Sequence, residues 1–464
     1  MNTTSVIRLF EQTIQNLPAW YAEIALAAAV PVVIILGLFR LKNLPIWLLL
    51  ASLSSLFIAG MLLANSNTVS GDSLYFKAIV LISAAAALAM QWHTEQNNPD
   101  KNHYTEFCTI VIGLALGCNL LISAQDWLLF FVSVELISIA SYLLVGFRFN
   151  KNSAEAGLKY LLFGAAISAM MLYGISWLYG LAWQNANLAS GGYNYAILTA
   201  ALGMVMGGML FKLAGAPLHW WVADTYDAAP SSVAFFLSIA PKVAALQAVI
   251  NIIGRYESLF AWTDFLSIAA IASILVGNFS ALWQSNIRRL MGYSSVAHTG
   301  VLLLAVAANA SGENLAFYLF IYLLASALVF IFIQNTEGEH GHLHIKQLSG
   351  FAQHDAVSPL ALVLAFVSLT GLPPTAGFTA KLNLFLDVWR SYEQNNHVWL
   401  LYGLLVAVAG TAISLFFYLR VPFFMYFRAE HQTTEHNTHD TIPANLTRWI
   451  LLFLAMLLVV FFVV

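Results

Sequence analysis

The feature that most constrains this chain is the recurrence of apolar runs long enough to cross a lipid bilayer. A helix rises 1.5 Å per residue, so roughly 20 mainly apolar residues cover a hydrocarbon layer about 30 Å thick. About fourteen such runs fill the 464 residues, from 18–39 to 447–464, separated mostly by short polar joints. The composition agrees: 60% of residues are hydrophobic and only 9% charged, too few to wet the surface of a soluble domain. Runs such as 451–464 show no alternation of polarity, which argues against a membrane β-barrel. The fold expected is an all-α polytopic membrane protein of about 14 transmembrane helices. Two spans, 155–182 and 356–391, are longer than a bilayer requires, so tilt, breaks or protruding ends are expected there.

The few charges sort by position. Joints alternate between the two sides of the membrane. One side collects Arg40, Lys42, Lys101, Arg148, Lys151, Arg288, Arg289, Lys346, Arg420, Arg428 and Arg448; the other has only Arg8, Arg255 and Arg390. The basic side should be cytoplasmic, which puts both termini on the outer side of the membrane. Lys77 begins the third span and is read as snorkelling to the interface. A net charge of −3 leaves no basic patch for nucleic acid. Cys108 and Cys118 share one apolar run and read as small buried hydrophobes.

What remains is a set of ionisable residues at depths where charge is costly. Glu135 is central in the span 126–147 and His298 in 287–308; Lys212, Lys242 and Lys381 fall near the midplane of theirs, and Lys159 lies within 155–182. A lysine or aspartate at the centre of a spanning helix costs at least about 2.5–3.5 kcal/mol. The lysines outnumber the acidic partners available at that depth, so a merely structural pair does not account for them. Two of these helices also carry breaks. The seventh reads F-K-L-A-G-A-P-L-H-W-W, placing Gly215 and Pro217 between Lys212 and His219; the twelfth reads T-G-L-P-P-T-A-G-F-T-A-K, ending on Lys381. Paired interrupted helices that carry ionisable groups are the signature of a transporter built from related halves. His340, His342, His344 and His354 in one joint, and His431, His436 and His439 in another, match no zinc spacing and read as solvated loops.

These segments resemble one family. V-E-L-I-S-I-A-S-Y at 134–142, A-E-A-G-L-K-Y at 154–160, A-P-S-S-V-A-F-F-L-S-I-A-P-K at 229–242, N-I-R-R-L-M-G-Y-S-S-V-A-H-T-G at 286–300 and L-P-P-T-A-G-F-T-A-K at 372–381 look like the antiporter-like membrane subunits of respiratory complex I. Lysine at 381, and a final apolar span without a long lateral helix after it, make the chain similar to the subunit N branch of that family. The resemblance implies two inverted five-helix repeats, 105–254 and 255–425, with helices 7 and 12 broken. A three-helix segment, 1–104, precedes them, and a loop with a last helix, 426–464, follows.

The resemblance also implies roles. Glu135 matches the central carboxylate and Lys212 the lysine it modulates. Lys242 matches the connecting lysine, with His298 on the polar axis. Lys381 matches the lysine that exchanges protons with the outside, and Lys159 and His219 match further family positions. It implies a proton-translocating subunit of an NADH–quinone oxidoreductase with no cofactor in this chain. FMN, iron–sulfur clusters and quinone would belong to other subunits, and the partners would be neighbouring membrane subunits, antiporter-like ones among them. A subunit of a multi-subunit sodium/proton antiporter is the alternative the same core allows.

Overall fold

In a computed structural model of the chain, residues 20–39, 44–64, 71–97, 103–187, 195–337, 343–428 and 445–462 are described. Arg8, Arg40, Lys42, Lys101, His340, His342, His431, His436 and His439 lie outside them. The described residues form helices throughout, with one isolated bridge between Asn286 and His344 in place of any strand.

In chain order the helices are α1 (Tyr21–Leu38), α2 (Leu44–Ala64), α3 (Gly71–Asn97), α4 (Tyr104–Ser123), α5 (Trp127–Val145), α6 (Lys151–Asn187), α7 (Tyr195–Leu213), α8 (Val222–Ala228), α9 (Ser231–Arg255), α10 (Trp262–Leu282), α11 (Ile287–Ala307), α12 (Gly312–Thr336), α13 (Val357–Thr370), α14 (Ala376–Asn395), α15 (Val398–Phe427) and α16 (Asn445–Val460). Short single-turn 3₁₀ segments join some of them. Twelve are long and apolar enough to cross a membrane, and α13 and α16 are shorter apolar helices. A helix closes its own backbone hydrogen bonds, which is what lets such segments sit in lipid. Their ends are fixed locally: Asp126 accepts from the Leu129 amide at 2.8 Å, Asn286 from that of Arg288 at 2.8 Å and Ser311 from that of Asn314 at 3.2 Å.

Every predicted span coincides with a described helix or helix pair. The span at 155–182 is unbroken: α6 runs for 37 residues, about 55 Å at 1.5 Å per residue, and so must tilt or protrude. The seventh and twelfth spans are broken where the prolines stand. α7 stops at Leu213, the chain turns at Ala214 (φ +63°), and α8 resumes at Val222; α13 stops at Thr370, turns at Gly371 (φ +84°), and α14 begins at Ala376. A Cβ at Gly377 would lie 1.8 Å from the Ser368 carbonyl oxygen, so only glycine permits this approach of α14 to α13.

The freed backbone groups at both breaks find partners within the protein. Thr299 donates to the Leu213 carbonyl at 2.6 Å, the Trp221 indole to that of Phe211 at 3.1 Å, and the Ala216 amide to the Ser273 hydroxyl at 2.9 Å. Side chains of α10 and α11 thus hold the broken end of α7.

Burial marks the centre of the bundle. Of the best apolar window in each helix, 94% is buried in α9, 89% in α11 and 83% in α12, against 28% in α1 and α6. These three helices form an axis sheathed by the others.

Arg148, Arg288, Arg289 and Arg420 cluster at one end, hereafter the basic face, but not all as loop residues. Arg288 is wholly buried within α11, and its guanidinium donates to both Glu337 oxygens, the Ser231 hydroxyl and the carbonyls of Tyr226 and Ala229. Arg148 reaches the same Glu337 at 3.2 Å. The reading of Lys77 as a snorkelling residue is also corrected. It is 1% exposed and meets Glu23 of α1 at 2.6 Å, because a carboxylate on a neighbouring helix gives the ammonium an inward partner. Cys108 and Cys118 are free and buried, as their apolar setting implied.

Candidate functional site

Glu135, Lys212, Lys242, His298 and Lys381 occupy the interior, while Lys159 and His219 stand apart from them. Ser231 to Lys242 and Ile287 to His298 are eleven residues each, placing both groups about 17 Å along their helices from the basic face. That is the middle of a hydrocarbon layer about 30 Å thick. Lys212, Lys242 and Lys381 are 6%, 2% and 7% exposed, and none has a described carboxylate within 4 Å.

The first cluster gathers at the end of α7. Lys212 lies in its last turn with the ammonium over the rings of Tyr142 and Tyr160, 5.5 and 5.8 Å from their centres. These cation–π contacts are its only described partners, since Lys212 Nζ makes no hydrogen bond to a described residue. Glu135 Oε1 and Tyr142 Oη are likewise buried without one. Glu135 stands within electrostatic range of Lys212 but forms no ion pair with it. The ammonium and two further polar atoms, Glu135 Oε1 and Tyr142 Oη, are thus all buried without a described hydrogen-bond partner. Gly164 of α6 makes space for Tyr142, since a Cβ there would lie 1.7 Å from the phenol oxygen.

The second cluster lies on the axis. Lys242 donates to the Ser295 hydroxyl at 2.7 Å and to its carbonyl at 2.9 Å, with the Tyr322 ring 5.4 Å away. Tyr226, at the end of α8, shares the Ser295 hydroxyl at 3.2 Å. One turn along α11, His298 Nδ1 bonds the Tyr318 hydroxyl at 2.6 Å and Nε2 bonds that of Tyr418 at 3.3 Å. Tyr418 also bonds Ser294. An imidazole flanked by two hydroxyls can accept a proton on one nitrogen and release one from the other.

The third cluster lies at the second break. Lys381 donates to the carbonyls of Leu369 and Thr370 at 2.8 and 2.7 Å, two acceptors that the end of α13 leaves without intrahelical partners. Its aliphatic stem packs over Gly371, where a Cβ would come within 2.7 Å of Lys381 Cδ. A small half-open cleft joins Lys381 to His298 and Tyr418, lined also by Asn278, Ser294 and Ser414. A second small cleft joins Lys381 and His298 past Tyr318 and Tyr322. Each has room for about one water.

Two candidates are placed elsewhere. Lys159 is 50% exposed on α6 and pairs with Glu155 one turn away at 2.8 Å. His219 lies half-buried in the first break, its Nδ1 without a described partner. Sequence reasoning missed the hydroxyls: Ser294, Ser295, Tyr226, Tyr318 and Tyr418 carry the contacts between charges. The spacing Ser294–Ser295–His298 on one helix was a signal for some of them. Tyr418 had none, being one tyrosine among 18.

Broken helices presenting buried lysines along a central polar axis define a class: ion-translocating membrane proteins of antiporter-like fold. The family model described as NADH:quinone oxidoreductase/Mrp antiporter, transmembrane, matches residues 124–414. NADH-quinone oxidoreductase subunit N 2 of Chloroherpeton thalassium is 30% identical over 96% of this chain and 91% of that protein. Among solved structures, a chain of respiratory complex I from Thermus thermophilus with bound aureothin superposes with a TM-score of 0.78 at 28% identity, covering 95% of this chain and 96% of that one. A chain of the Mrp complex from a Dietzia species shares the fold at 19% identity, with a TM-score of 0.78 over 97% of this chain and 95% of that one. The chain belongs to the NADH:quinone oxidoreductase/Mrp antiporter membrane-subunit family, in its subunit N branch.

Proposed function

We propose that this chain is the proton-translocating subunit N of a bacterial NADH–quinone oxidoreductase, moving protons through Glu135, Lys212, Lys242, His298 and Lys381. One observation carries the reading: three lysines are buried at mid-membrane depth with no described carboxylate within 4 Å, on or beside two broken helices, and hydroxyls and clefts line the way from Lys242 past His298 to Lys381. Buried ammonium groups without counter-ions are costly to keep charged, so they are suited to taking up and releasing protons.

In this reading Glu135 sets the charge state of Lys212 by changing its distance. Lys242 receives the proton on the axis. His298, between Tyr318 and Tyr418, hands it on, and Lys381 exchanges it with the periplasmic side. His219 borders the first break as an accessory group. Exposed Lys159 and Glu155 face whatever packs against α6, such as a neighbouring antiporter-like subunit. The two five-helix units, 105–254 and 255–425, are taken as inverted repeats, each contributing one broken helix. The basic face is cytoplasmic and both termini are periplasmic. Electron transfer, with FMN, iron–sulfur clusters and quinone, takes place in other subunits.

The test is proton uptake by everted membrane vesicles driven by NADH. Lys212→Ala and Lys381→Ala are expected to assemble and to pump less than the parent. Normal uptake in both variants overturns the reading.

A further inference from the structure

One buried charged pair lies outside the path just described. Glu23 and Lys77 meet at 2.6 Å and are 3% and 1% exposed. Ser123, the last residue of α4, donates to the same Glu23 oxygen at 3.3 Å. Glu23 Oε2 is buried and accepts from no described group. A carboxylate offers about four lone-pair sites, so half of this one faces no described donor.

The polar lining continues along α4 and α9. Asn119, one turn before Ser123 on the same face of α4, is wholly buried and spends its amide on the Ala115 carbonyl, leaving Oδ1 without a described donor. Across from it on α9, Gln247 donates to Asn251 at 2.8 Å, and Asn251 donates to the Ile122 carbonyl at 3.3 Å. Gln247 Oε1 is also buried and unsatisfied. A buried acceptor without a donor costs about 1–3 kcal/mol. Three along one seam call for a small donor such as water. The seam starts beside the first cluster: two residues before Asn119, Gly117 packs directly against Leu136 and Ile137, the residues that follow Glu135 on α5. It ends near the face opposite the basic face: Glu23 is the third residue of α1, Lys77 the seventh of α3 and Ser123 the last of α4.

We propose that Glu23, held by Lys77 at the end of a polar seam between α4 and α9 that takes up water, is a second proton-binding site through which protons from the Lys212 cluster leave toward the face opposite the basic face. On loading, an O–H bond of a hydronium in the seam breaks and an Oε2–H bond forms on Glu23, leaving water behind. On release that bond breaks and the proton passes to water at the outer face. The charged groups on the packed helices are few. α2 brings none; α3 adds Asp72 near its start and His93 and Glu95 at its far end; α4 adds only Glu106, also at the far end. On α9, Arg255 is bonded to the Gln125 carbonyl and Lys242 to Ser295, and on α12 Glu313 lies in the first turn.

This proposal rests on the reading of the chain as a proton translocator, and its test separates the two. The intact complex, reconstituted in liposomes, is compared as the parent, the Glu23→Gln/Lys77→Met double variant, Asn119→Leu and Lys212→Ala. The readouts are protons pumped per NADH oxidised and the infrared carboxyl band that appears on protonation. The double variant removes both charges together, so it leaves no lone buried charge to unfold the chain. It is expected to lower the pumping ratio and to lose one carboxyl band. Asn119→Leu keeps the pair and dries the seam, and should lower the ratio too. It decides the matter if the double variant does not assemble. A parental ratio in the double variant or in Asn119→Leu, alongside a reduced one in Lys212→Ala, overturns this site and leaves the translocator reading standing. A parental ratio in Lys212→Ala strikes at the translocator reading itself.

Discussion

Arg288 offers the sharpest quantitative test of how the basic face is built. Its five N–H groups are all engaged: Nε and one Nη2 hydrogen bind the two Glu337 oxygens, the other Nη2 hydrogen binds Ser231, and Nη1 binds the carbonyls of Tyr226 and Ala229 at 3.2 and 2.7 Å. Arg288→Met keeps the stem and removes every donor. Breaking a buried pair by deleting one partner costs about 3–5 kcal/mol. Glu337 would retain Arg148 at 3.2 Å, which offsets part of that loss. Two buried carbonyls would lose a donor, at about 1–3 kcal/mol each where no water reaches them. These contributions overlap, so a total loss of about 3–5 kcal/mol is expected. A double-mutant cycle with Glu337→Gln should give a coupling energy of about 2 kcal/mol, within the range for contacting residues. Denaturant unfolding of the purified chain in micelles measures both. An Arg288→Met variant within about 0.5 kcal/mol of the parent, or a coupling near zero, refutes the assignment of this guanidinium as the clamp between α8, α9, α11 and α12.

Three further outcomes can be checked. Gly164→Ala drives a methyl group into Tyr142 and should destabilise the chain by about 1–3 kcal/mol, as overpacking does, while slowing vesicle proton uptake; Gly180→Ala on the same helix meets nothing within 4 Å and should do neither. Tyr418→Phe deletes the hydroxyl between Ser294 and His298, and should slow the initial rate of proton uptake in complexes that assemble normally. Lys159→Ala removes only an exposed pair within α6, so the thermal midpoint of the isolated chain should not move.

The architecture was legible because lipid imposes one rule on every span, and apolar length reports it directly. Even the breaks could be read, since Pro217, Pro373 and Pro374 cannot donate the amide a continuous helix needs. The central charges were legible for a related reason: Glu135, Lys212, Lys242 and Lys381 stand out against an apolar background. Partnerships were not. Along the chain Lys77 reads as reaching the interface and Lys242 as buried, yet both are buried and one meets a carboxylate, the other a serine, a difference set by which helix packs alongside. Arg288 and Arg289 are neighbours in a basic joint, but the first turns wholly inward while the second pairs at the surface with Asp224. Contact across helices, not position along one, decides these cases. The hydroxyls between the charges went unread for the same reason.

The carbonyls that hold Lys381 have a further consequence. They belong to the C-terminal end of α13, where aligned peptide dipoles amount to about half a negative charge. That counter-charge is covalent backbone and cannot be protonated away. The field at the second break changes only if the end of α13 shifts or water competes for Leu369 and Thr370. Under the proposed proton path Lys381 is thus under mechanical control, so a rigid cross-link between α13 and α14 should arrest proton exchange there while sparing Lys212.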